Sequence, residues 1–284
     1  MLIHKESGQI LLTVVLVMIV ALTVGLSLAS RSIVDIRTST EEADSQRALV
    51  AAESGIEQAL DEVGGTFSGE FSEIGSAYDV QITPVAGEAF LLNNGNLVEK
   101  GEGVDIWFVD HDSDGVAQYG AASWSGDNWL EIYWGTSETP CDNAALEVII
   151  IVDIAGTPSL KRYAVDPCES RRTGGNEFDT AVPETYSIGG ETLQHKLSID
   201  PIASSSIVLF IRVVPIYTNA IMGVRASSAL PTQGYSINST GEFQAVDRQV
   251  KRSISVFKQY GQLPIEYLNY GLFSPCTDLD NPDC

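Results

Sequence analysis

The hydrophobic pattern changes period once along the chain, near residue 64. From Ile10 to Ala29 no residue is charged, and almost every position is Leu, Val, Ile or Ala, with Thr13, Thr23 and Ser27 among the few polar ones. Twenty such residues at about 1.5 Å rise make about 30 Å of helix, the thickness of a bilayer's hydrocarbon core. After Arg31 the apolar residues Ile33, Ile36, Ala43, Leu49, Ala52, Ile56, Ala59, Leu60 and Val63 recur at spacings near three, four and seven. Asp35, Arg37, Glu41, Glu42, Asp44 and Arg47 take the other faces. No proline precedes Pro84, and Gly64-Gly65 supplies a stop. One helix over 10–63 is therefore expected, about 80 Å long, apolar all round in its first half and amphipathic in its second.

Beyond Gly65 short β-branched and aromatic runs alternate with Gly, Pro, Asn and Asp. Strands are expected over 78–83, 89–92, 97–99, 104–109, 129–134, 146–154, 161–165, 185–188, 192–199, 207–215, 222–227, 234–239 and 249–259. Asn93-Asn94-Gly95-Asn96 reads as a hairpin turn between two of them, because Asn-Gly accepts positive φ. The uninterrupted runs Val148–Val152 and Ile207–Ile211 predict central strands covered on both faces. No second long helical pattern occurs. The fold class is α+β: a long N-terminal helix, then a mainly antiparallel β domain, either a sandwich or one enlarged sheet.

Composition adds exclusions. The net charge is −22, with 38 acidic against 16 basic residues, and between Gly64 and Leu160 the only basic residue is Lys100. Such a surface repels phosphate, so nucleic acid is not an expected partner. The 44 % hydrophobic content excludes a disordered chain of this acidity. There is no G-x-S-x-G, no H-E-x-x-H and no phosphate-binding loop. The three histidines, His4, His111 and His195, are scattered, His195 in an alternating strand pattern that places it on a sheet surface. No enzymatic activity is expected.

The N-terminal layout resembles that of the type IV pilins. Met1–Gly8 is short, carries Lys5 and ends in Gly before the apolar run, like a prepilin leader. Ser7-Gly8-Gln9-Ile10-Leu11-Leu12-Thr13-Val14-Val15-Leu16 and Ala51-Ala52-Glu53-Ser54-Gly55-Ile56-Glu57-Gln58-Ala59-Leu60 are similar to segments of PilX-type minor pilins. The resemblance covers about the first 63 residues. It implies cleavage between Gly8 and Gln9 by a prepilin peptidase, a methylated Gln9, and residence in the inner membrane before assembly with other pilin subunits through the helix. Together with the strand pattern beyond Gly65, it divides the chain into a leader (1–8), a transmembrane and filament-core helix (9–30), its amphipathic continuation (31–63), an extracytoplasmic β domain (64–268) and a C-terminal tail with a Cys loop (269–284). The implied location is a pilus or cell surface. One position departs from the pattern: the fifth mature residue is Thr13, where major pilins usually carry Glu. Either the family tolerates Thr there, or the subunit has a low-abundance or tip place. A secretion-system pseudopilin, and an anchored surface protein that never polymerises, fit the same N-terminus.

Four side-chain groups stand out. The four cysteines do not fit zinc spacing and read as extracytoplasmic disulfides; three pairings are open, and locality favours Cys141–Cys168 with Cys276–Cys284. Asp110, Asp112 and Asp114, alternating before Gly115, have the spacing of a calcium loop. The loop is incomplete, with Ala121 at its twelfth position, and Asp127 or Glu131 would have to supply a ligand; a solvated acidic turn is the alternative. Trp107, Trp124, Trp129, Trp134, Tyr119 and Tyr133 crowd the same stretch, as core or as a sugar-binding patch. Glu53 and Glu57, four apart on one helix face, form either a solvated acidic face or the partner of a cation.

Overall fold

The computed structural model describes residues 7–62, 64–73, 75–119, 124, 128–154, 157–199 and 206–261. Helix α1 (Ser7–Ala59) is followed by β1 (Gly65–Phe71), β2 (Ser76–Leu91), β3 (Val104–Trp107), β4 (Leu130–Trp134), β5 (Ala145–Ile154) and β6 (Thr157–Asp166). A one-turn helix α2 (Glu169–Arg171) precedes β7 (Asp179–Thr180), β8 (Val182–Ile188), β9 (Glu191–Ile199), β10 (Ser206–Ile216), β11 (Met222–Gln244) and β12 (Gln249–Gln259). The α+β expectation holds. The chain forms two compact units: residues 1–58, 67–80 and 238–254, and residues 59–66, 81–237 and 255–284.

The first unit is built on α1, 53 residues or about 80 Å of continuous helix. Every residue from Leu11 to Ala43 is exposed. Among the described residues α1 is the one helix long and apolar enough to span a bilayer. The Thr23 hydroxyl donates to the carbonyls of Ile19 (3.1 Å) and Val20 (2.9 Å), so this polar group needs no water. The helix stops four residues before the expected Val63; Gly64 and Gly65 take φ of 78° and 108°, and an L side chain pays for such angles.

The face of α1 that packs is not the one its larger residues mark. Ala48, Ala51 and Ala52 are buried, whereas Val50 and Ile36 are 54 % and 65 % exposed. The reason is distance. A Cβ on Gly241 of β11 would overlap the Ala48 carbonyl and the Ala52 nitrogen, and one on Gly55 would meet Ser239, Val80 and Tyr78. Small residues on both sides let helix backbone lie on strand backbone, which Leu or Ile would prevent. Polar contacts fix the register. Buried Asp44 receives the Arg248 guanidinium (2.5 and 3.2 Å), Arg47 lies 4.9 Å above the Phe243 ring, and the Tyr78 hydroxyl donates to Gln58 Oε1 (2.7 Å). Beneath the helix run β1, β2 and β11 in that order, with β12 paired to β11.

The second unit is a sandwich. One layer is the five-stranded sheet β3-β10-β5-β6-β7, the other the neighbours β11-β4-β9-β8. Pairing is antiparallel except between β6 and the two-residue β7. Ile106, Leu146, Val148, Ile150, Ile211 and Val213 of the first layer meet Ile132, Trp134, Met222 and Val224 of the second. The opposite face of the first layer is also covered: Ile149, Leu209 and Phe210 pack with Trp107, Val109 and Tyr260. The two apolar runs are thus central strands buried on both sides, as their pattern predicts.

Several expected elements differ. Segments 78–83 and 89–92 are one strand, β2, and 222–227 and 234–239 are one strand, β11. Asn93, Asn94 and Gly95 do take positive φ (50°, 53° and 81°), but they form a 3-10 turn rather than a hairpin. Residues 97–99 form no strand; Val98 makes a lone bridge to Ala220, which ends the ladder. The exposed edge strand β1, rich in Gly and Ser, carries no alternating apolar signal and was not expected.

Candidate functional site

Four groups of residues carry the sequence-level expectations, and the fold treats them differently. Gly8 and Gln9, the expected cleavage pair, lie in the first turns of α1. Residues 1–6, the remainder of the leader, lie outside the described residues.

The acidic loop closes on itself. Asp112 Oδ1 accepts the backbone N–H of Asp114 (3.0 Å) and of Val116 (2.9 Å), and Oδ2 accepts Gln118 Nε2 (2.9 Å). Gly115, at φ 77°, returns its N–H to the Asp112 carbonyl (3.0 Å), and the Gln118 N–H reaches the Asp110 carbonyl (2.8 Å). The Asp112 carboxylate therefore organises the turn as a short aspartate caps backbone donors. Among the described residues no three His, Cys, Asp or Glu side chains converge as metal ligands. Ala121 and Asp127 lie outside them. His111 stacks flat on Tyr260 (3.7 Å between ring centres, 5° between planes) and edge-on to Trp107 (4.6 Å, 87°). Burial lowers its pKa, and the nearby charges of Asp110 and Asp112 oppose that shift.

The aromatic stretch divides between core and rim. Trp107, Trp134 and Tyr133 are buried. Trp134 Nε1 donates to the Ala144 carbonyl (2.9 Å), and Trp124 packs edge-on against Phe108. Trp129 instead lies under Arg225, 5.2 Å from its guanidinium. There it joins a polar cluster on the outer side of β4 and β9. The Tyr133 hydroxyl donates to Glu131 (2.9 Å) and Glu184 (3.1 Å), and Lys196 pairs with both carboxylates (3.2 and 2.5 Å). Burial, then the Glu131 bond, pushes the Tyr133 phenol above its ordinary range. Every charge in this cluster is matched. Tyr119 is exposed.

The Cys141–Cys168 disulfide is present, as locality favoured. The second pair, Cys276 and Cys284, lies outside the described residues. Around the first bridge Arg171 grips buried Asp166 through Nε and Nη2 (3.0 and 2.7 Å) and donates to the carbonyls of Cys141 (3.0 Å) and Asn143 (2.8 Å). These bonds, with that of Asn176 to Asp166, hold the Asp166 carboxyl below its usual range although its burial pushes the other way.

Two features went unread in the sequence. Asp105 and Arg212, 2 % and 1 % exposed, form a bidentate pair across β3 and β10 (2.6 and 2.7 Å). Their signal was a lone charge inside each of two apolar strands. His195, expected on a sheet surface, is buried: it lies opposite Trp134 and against Asn143, whose loop covers that end of β4 and β9. Comparison of the chain with protein-family profiles, with curated proteins and with solved structures gives no match.

Proposed function

We propose that the chain is a structural, non-catalytic subunit of the type IV pilin kind, resembling the PilX-type minor pilins in its N-terminal segments. The observation that carries this reading is the division of α1. Its side chains from Leu11 to Ala43 are all exposed, those up to Ala29 without a single charge, while its last turns sit on a sheet through Ala48, Ala51, Ala52 and Gly55. The apolar stretch Leu11–Ala29 within it is unstable in water and is satisfied either by lipid or by like helices. In this reading the inner membrane covers the helix first and neighbouring subunits cover it after assembly. Thr13 leaves the helix without a carboxylate between Glu6 and Asp35, which suits a minor or tip position or a pseudopilus. The acidic β domain is displayed outside the cytoplasm, consistent with its disulfide.

The test is the mature N-terminus. Full-length protein produced with a prepilin peptidase should begin at Gln9, and Gly8→Phe should leave it intact and absent from sheared filaments. An intact Met1 in the wild type would discard the pilin reading in favour of a signal-anchored surface protein.

A further inference from the structure

The contact between His195 and Asn143 allows only one proton arrangement. Both side chains are 4 % exposed. Asn143 Oδ1 accepts the Ser137 N–H (3.1 Å), so the other end of the amide is the NH2 group. That NH2 shares its two hydrogens among three acceptors, the carbonyls of Ser137 (2.8 Å) and Thr139 (3.1 Å) and His195 Nε2 (3.0 Å). Nε2 can only be an acceptor there. His195 is therefore neutral, with its hydrogen on Nδ1.

We propose that His195 and Asn143 form an acid-sensitive latch on the exposed loop 136–142, closed when His195 is neutral and opened when it gains a proton. Protonation sets an N–H against the amide NH2. Turning the amide by 180° relieves that clash, but it sets the NH2 against the Ser137 N–H and strips the Ser137 and Thr139 carbonyls of their donor. Either way a buried donor is left without an acceptor, and the exposed loop is the segment that yields. The far end of the loop stays tied, because the Asn143 and Cys141 carbonyls are held by Arg171, itself locked on Asp166, and Cys141 is bridged to Cys168. Opening is thus confined to the segment around Ser137 and Thr139.

Among the described residues no neighbouring charge offsets the effect. Lys196, next along β9, bonds Glu131 and Glu184; on β8 Pro183 lies opposite His195; on β4 its partner is Trp134. Glu138 and Asp142 are on the exposed side of the loop. Burial alone lowers the His195 pKa. A base whose folded pKa is depressed supports the fold above its unfolded value of about 6.5, and that support is lost as pH falls below it.

Hydrogen–deuterium exchange on the full-length protein in detergent, at pH 7.5 and 5.0 and corrected for intrinsic rates, tests the latch. The amides of Ser137 and Thr139 should lose protection at pH 5.0, while those of β4 and β9 stay protected. In His195→Gln, whose side-chain oxygen accepts at either pH, the loss should vanish. Equal protection of the wild-type loop at both pH values, or the same loss in His195→Gln, would overturn the proposal. If that variant fails to fold, the wild-type ring decides: a His195 midpoint at or above about 6.5 by NMR overturns the latch, and a lower one with the hydrogen on Nδ1 supports it.

Discussion

Arg212→Met should be among the most damaging single changes in the sandwich unit. Arg212 and Asp105 are joined by two bonds of 2.6 and 2.7 Å and are almost sealed from water. Met fills the stem of the arginine but leaves the Asp105 carboxylate buried with no counter-charge. Breaking a buried pair from one side typically costs about 3–5 kcal/mol, because desolvation is no longer offset. At about 2–4 °C per kcal/mol for a domain of roughly 150–250 residues, the unfolding midpoint should fall by about 6–20 °C. The double variant Asp105→Leu, Arg212→Met removes both charges from a site already walled by apolar strands, and should recover to within about 1–2 kcal/mol of the wild type or exceed it. Urea unfolding followed by tryptophan fluorescence suits the case, since buried Trp107 lies two residues from Asp105 on the same strand. An Arg212→Met cost below about 1 kcal/mol, or a double variant as unstable as the sum of the singles, would refute this account of the pair.

Deleting 10–30 should give a soluble monomer by sedimentation; a truncated protein that still forms filaments would remove α1 as the polymerising element. Gly241→Ala should destabilise the helix-bearing unit by at least the roughly 1–3 kcal/mol of ordinary overpacking, because the added carbon meets helix backbone rather than a movable side chain; an unchanged thermal midpoint would contradict the contact. Asp112→Ala should cost about 1 kcal/mol by removing an acceptor shared by three donors, and by the same amount with calcium or with chelator. A midpoint that rises with millimolar calcium in the wild type and not in Asp112→Ala would instead establish the loop as a cation site.

Periodicity alone located the long helix, its apolar first half, the switch to strands near Gly64, and the two central strands, because each follows from residues adjacent in the chain. The disulfide between Cys141 and Cys168 was also within reach, since it closes a local loop. The packing face of α1 was not. Apolar periodicity includes the buried Ala52 and Ala59, but it marks exposed Ile33 and Leu60 equally and passes over Ala48, Ala51 and Gly55, which complete the buried ridge; only Gly241 arriving from another strand makes small size matter more than hydrophobicity. The acidic loop has the spacing of a cation site, and what the spacing could not convey is that Asp112 turns one oxygen onto the backbone of its own loop and the other onto the Gln118 side chain. Asp105 finds Arg212 across 107 residues, and His195 finds Asn143 across 52. A charge or an imidazole becomes structural only when burial removes water as its alternative partner, and burial is decided by which distant strands the fold lays side by side.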